Sequence, residues 1–89
     1  MRVFDGALLF ELKATHGFPI DFAIDRILAA GIKQIDWVRF IEAARANGWW
    51  DFQTYRVLCE ALEDSALSTS VRTAILDGCR RYVLEREVA

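Results

Sequence analysis

Several absences bound this 89-residue chain before any motif is considered. It has one proline and no Ser/Gly-rich tract, so it contains no linker and no low-complexity segment. Its five glycines stand apart, which excludes a glycine-rich phosphate loop. Two cysteines, Cys59 and Cys79, and the single histidine His16 show no CxxC or HxxxH spacing, so no metal site is expected. With one imidazole and no GxSxG elbow, nucleophilic catalysis lacks its parts, and no catalytic residue and no cofactor are expected. The i,i+4 acid pairs Asp21/Asp25 and Glu60/Asp64 read as solvated helix surface rather than as general acid–base pairs. No apolar run reaches the roughly 18–20 residues that cross a bilayer, and the start Met1-Arg2-Val3-Phe4-Asp5 lacks a secretory h-region. A cytoplasmic protein with reduced thiols and no membrane contact is the expectation.

Charge of one sign is also missing. Residues 1–48 carry six basic and six acidic side chains, and residues 49–89 carry five and seven. Neither half offers the clustered Lys and Arg of a phosphate-binding footprint. Residues 19–47 could be drawn as a helix-turn-helix, but the supposed reading helix Trp37–Asn47 supplies only Arg39, Arg45 and Asn47 as polar readers beside Glu42. DNA binding is not expected.

What is abundant is apolar surface: 54% hydrophobic residues, including three tryptophans, in one small domain. A chain of this length buries about 60–65% of its unfolded surface. The surplus implies a well-filled core or a patch for a partner. Punctuation and periodicity divide residues 1–89 into about five short helices in one compact all-α bundle, with no sustained period-two alternation. The first is expected from about Gly6 to His16, with Asp5 as N-cap, Gly17 as stop, and Leu8, Leu9 and Leu12 facing inward. The second runs from Pro19 to Ala30 with a stripe of Ile20, Ala23, Ile24, Ile27 and Leu28. Asp36 caps the third, which turns Trp37, Phe40, Ile41 and Ala44 inward and closes at Asn47-Gly48. The fourth takes Asp51 as cap and Phe52, Tyr55, Leu58 and Leu62 as stripe. The fifth starts at Ser68 or Ser70, ends near Glu85, and faces inward with Val71, Ala74, Ile75, Gly78, Cys79 and Tyr82.

Two features suggest protein contact. Ala74 and Gly78 form a small-residue notch that admits a close helix, within the monomer or from a second copy. Trp49 and Trp50 are adjacent and cannot both face the core, so one ring is expected inside and the other across the surface.

The stretch Thr15-His16-Gly17-Phe18-Pro19-Ile20-Asp21 is the most specific motif. It resembles the T-(aromatic or His)-G-F-P-(aliphatic)-D signature of alanyl-tRNA synthetases, in the helical module beside their catalytic domain. The likeness spans about residues 5–48, from Asp5-Gly6-Ala7-Leu8-Leu9-Phe10-Glu11-Leu12 through Ile35-Asp36, Phe40 and Glu42-Ala43-Ala44. Residues 49–89 then add two further helices. In that family the module receives the tRNA acceptor stem, so the resemblance implies RNA contact at Lys13, Thr15 and His16. The sequence departs from the pattern at Ala14, where the family has Asp, and at Lys13, where it has an aromatic. The class II catalytic motifs and the editing domain are absent, so ATP and alanine chemistry is not implied. The expectation is a non-catalytic interaction domain binding another protein or its own copy through Trp49, Trp50, Ala74 and Gly78. The alternative is a tRNA- or RNA-binding accessory module.

Overall fold

The computed structural model describes residues 3–32 and 34–88; Met1 and Arg2 of the chain start, Lys33 and Ala89 lie outside them. Five helices carry the fold: α1 (Gly6–His16), α2 (Ile20–Ala29), α3 (Trp37–Ala46), α4 (Asp51–Asp64) and α5 (Thr69–Val88). Two short strands, β1 (Val3–Asp5) and β2 (Gln34–Asp36), precede α1 and α3 and pair in parallel, Val3 with Gln34, Phe4 with Ile35, Asp5 with Asp36. These strands are the one addition to the all-α expectation. At three residues each they are too short to show the alternation by which a strand is recognised.

The caps follow the residue chemistry. The Asp5 carboxylate accepts from the Ala7 amide at 2.9 Å, and that of Asp36 from the Arg39 amide at 3.2 Å, satisfying first-turn donors of α1 and α3. The Arg39 guanidinium, then the Ala7 N–H, holds the Asp5 carboxyl below the usual carboxylate range. Gly17 (φ 65°) and Gly48 (φ 83°) lie in the left-handed region, where a Cβ is disfavoured, and turn the chain between α1 and α2 and between α3 and α4. Asp51 is not the cap of α4: Trp50 takes that place in extended conformation, and Asp51 opens the first turn as a carboxylate at the positive end of the helix. Ser68 caps α5, its hydroxyl accepting from the Val71 amide.

The core joins Leu9 and Phe10 of α1, Ile20, Ala23, Ile24 and Ile27 of α2, Phe40, Ile41 and Ala44 of α3, Leu58, Ala61 and Leu62 of α4, and Cys79 of α5. Three stripes differ from the sequence reading. In α1 the buried pair is Leu9 and Phe10, while Leu8 is 51% exposed. In α4 the stripe is Thr54, Leu58, Ala61 and Leu62, and Phe52 points out. In α5, among the residues whose burial is described, Cys79 alone is buried, and Val71, Ala74 and Gly78 are exposed. In α4 and α5 part of each expected stripe stays inside, Leu58 and Leu62 in the one and Cys79 in the other, because packing partners and not hydrophobicity alone select the face.

The two thiols separate by environment. Both are free; Cys59 is half-buried and Cys79 buried, and burial together with the nearby Cys59 pushes the Cys79 thiol up to about 11. Since the thiolate is the nucleophile, native protein should lose Cys59 to iodoacetamide while Cys79 reacts only after unfolding. The raised value also means that Cys79 stabilises the fold below the unfolded-state value near 9.0, a contribution lost as pH rises toward 11. Two thiols alkylated at equal rates in native protein would contradict this arrangement.

Among the described residues, no helix is long and apolar enough to cross a membrane.

Candidate functional site

The corner between α3 and α4 separates the two adjacent tryptophans as their neighbourhood requires. Gly48 reverses the chain, and the Trp49 amide donates to the Ala44 carbonyl at 3.0 Å. The Trp49 ring then meets Phe10 edge-on, 5.1 Å between centroids. Trp50, extended at φ −76° and ψ 148°, turns the other way and is 71% exposed. Phe52, the second residue of α4, is also 71% exposed and lies 6.1 Å from the Trp50 ring. Two large aromatic side chains thus stand together in solvent.

The ground beneath them is stiff. Arg45 near the end of α3 grips Asp51 with a bidentate pair, both hydrogen bonds at 2.7 Å and both side chains about three-quarters buried. The Arg45 guanidinium also lies 5.5 Å from the centroid of the Tyr82 ring, which fastens α5 to the same corner. Beside Phe52, a groove of about 280 Å³ runs between α4 and α5, lined by Asp51, Tyr55, Arg80, Val83 and the half-exposed Leu84. Tyr55 lines the groove, and burial raises its phenol above the ordinary value.

Ala74 and Gly78 are not part of this surface, nor do they make the close contact within the monomer that the sequence suggested. A Cβ added at Gly78 would meet nothing within 4 Å. The two residues instead border a separate open groove with Ile35, Trp37, Val38 and Ile41.

The three residues implied by the synthetase likeness lie at the α1–α2 corner. Thr15 and His16 are exposed, and Lys13 lines a depression it shares with Asp21, Glu60 and Asp64. Three carboxylates around one ammonium oppose a phosphate there. The arginines of the supposed reading helix are engaged elsewhere, Arg39 with Asp5 and Arg45 with Asp51. Among the described residues, no group of three His, Cys, Asp or Glu side chains could hold a metal ion.

A second apolar surface escapes the sequence reading. Phe4, Leu12, Phe18, Ala23, Ile27 and Ile32 line an open groove of about 520 Å³, rimmed by Arg26 and Ala30. Phe22, 56% exposed, packs edge-on against Phe18 at 5.8 Å. The available signal was that Phe22 falls off the Ile20–Ala23–Ile24–Ile27 stripe, leaving an aromatic residue without a core place.

No protein-family model matches this chain, and no curated protein or solved structure matches it.

Proposed function

We propose that this domain is a non-catalytic protein-binding module whose contact surface is the Trp50–Phe52 patch and the adjoining groove between α4 and α5. The observation that carries this reading is the pair of touching aromatic rings, each 71% exposed, on a corner fixed by the Arg45–Asp51 pair. Tryptophan and arginine-rimmed aromatic clusters are the residues on which interface energy concentrates, and a rigid base lowers the ordering cost of binding. Isolated exposed apolar residues need no explanation, but a contiguous patch does.

The competing reading is an RNA-binding accessory, which rests on the likeness around Lys13, Thr15 and His16 and is opposed by the carboxylates beside Lys13. Affinity capture from a native lysate, with and without nuclease, separates the two. The expected result is a protein partner retained after nuclease treatment and at raised salt, and lost with Trp50→Ala/Phe52→Ala. Retained tRNA that weakens steeply with salt and disappears with Lys13→Glu would replace this reading by the RNA one.

A further inference from the structure

Residues 31 positions apart occupy the same structural places along the first two-thirds of the chain. The strands pair at that spacing (5 with 36), the left-handed glycines fall at it (17 and 48), and so do the starts of the second helices (20 and 51). Asp5 and Asp36 cap equivalent helices. Leu9 and Phe40 are both fully buried, Phe10 and Ile41 nearly so, as are Ala23 and Thr54. Identical residues are few, so the repeat is carried by placement: a strand, a helix, a glycine corner and a second helix, twice, followed by α5. Repeats of this length stack neighbour on neighbour, each covering the apolar face of the next.

The interface between the two units shows what each end was built to meet. Pro19, Ile20 and Asp21 of the first unit border Val57 and Ala61 of the second, and Phe10 of the first holds the Trp49 ring of the second. Shifted by 31 residues, Pro19 and Asp21 become Trp50 and Phe52, which stand in solvent at the far end of the second unit. Shifted the other way, Val57, Ala61 and Trp49 become Arg26, Ala30 and Phe18, which line the open groove of the first unit. α5 covers Ile41, the counterpart of Phe10, but leaves Trp50 and Phe52 bare. Terminal repeats ordinarily carry a polar outer face. Here the second unit keeps the Trp50–Phe52 part of the surface that joins units inside the chain, and the first unit keeps the groove that such a part meets.

We propose that the partner of the Trp50–Phe52 patch is a second copy of this chain, whose first-unit groove at Phe18, Arg26 and Ala30 receives it head to tail, continuing the stacking of the two internal units. This rests on reading the patch as a protein contact and names what it contacts. The two surfaces differ, so the contact is heterologous and leaves a free patch at one end and a free groove at the other; growth continues unless the rotation closes a ring.

Sedimentation of the purified protein from micromolar to submillimolar concentration tests this. The average mass should at least double from 10.2 kDa as concentration rises. Two variants at exposed positions, Trp50→Ala/Phe52→Ala (no patch) and Arg26→Glu/Ala30→Glu (no groove), should keep the helical circular dichroism of the parent and each remain monomeric. Mixed, they should form a 1:1 dimer that grows no further, since one live patch then meets one live groove. A parent that stays at 10.2 kDa throughout overturns the proposal whatever the variants do. So does a mixture that stays monomeric, or a single variant that dimerises alone, which signals a face joined to itself. A monomeric parent that still captures a different protein through Trp50 sinks self-assembly and leaves the protein-binding reading standing. A monomer with no Trp50-dependent partner removes both.

Discussion

Gly6→Ala lowers the thermal unfolding midpoint by about 12–24 °C, the largest effect expected from adding one methyl group to this chain. The reason is the crossing of α1 over α3. A Cβ at Gly6 would collide with the Asp36 carbonyl oxygen, and it would lie 2.7 Å from the Phe40 amide nitrogen and 3.0 Å from the Phe40 Cβ. Two of the three obstacles are backbone atoms, which cannot rotate away as a side chain tip can. The same stretch of Asp36 is held by the β1–β2 pairing, so separating the helices disturbs the strands as well. Overpacking at a site that cannot relax costs about 3 kcal/mol, and a domain of this size loses about 4–8 °C per kcal/mol. Gly78→Ala should act in the opposite direction. It fills open space in mid-helix, so alanine's helix preference adds about 0.5–1 kcal/mol. Calorimetry of the two variants checks both signs. A fall of only a few degrees for Gly6→Ala would mean that α1 and α3 do not cross at that residue.

That contrast marks where local chemistry stops informing. Asp5, Asp36, Gly17 and Gly48 declare their roles because capping and chain reversal depend on a few neighbouring residues, and all five helices fall near their expected bounds. Gly6 and Gly78 look alike in sequence, both glycines within helical patterns, and differ only in what lies 30 residues away or nowhere near. The separation of Trp49 from Trp50 was legible because two adjacent rings leave a hairpin on opposite sides. Phe52 was not, since its spacing to Tyr55 and Leu58 fits a stripe in which packing then buries Thr54 and Ala61 beside Leu58 and Leu62 instead. The strands were hidden by their length, and the 31-residue repeat by its few identities. The groove around Phe4 and Phe18 is assembled from three elements, and no single segment announces it.

Phe40→Ala should cost about 3–5 kcal/mol, against a total stability of about 4–13 kcal/mol for a chain of this length. Phe40 is wholly buried and sits in the middle of a run of edge-on rings: Trp37 at 5.9 Å on one side, Phe10 at 5.5 Å on the other, and Trp49 at 5.1 Å beyond Phe10. The run ties α1 to α3 and to the corner that presents Trp50. Removing its central ring therefore weakens the helix crossing and loosens the base of the exposed patch together. Urea unfolding followed by tryptophan emission should show a midpoint far below that of the parent. With Trp37 and Trp50 each replaced by Phe, so that Trp49 alone emits, its emission should shift to the red before the helical signal is lost, as its ring leaves Phe10. Leu8→Ala is the matched control, because the most hydrophobic register of α1 turns Leu8 inward whereas the fold leaves it 51% exposed. It should change stability by no more than about 0.5 kcal/mol. Successive helical residues differ by about 100° around the axis, so Leu8 and Phe10, two positions apart, lie about 160° from one another and cannot share the face that meets Phe40. A large loss from Leu8→Ala with a small one from Phe40→Ala would turn α1 by that angle, detach Phe10 from Trp49, and remove the support on which the Trp50–Phe52 surface depends.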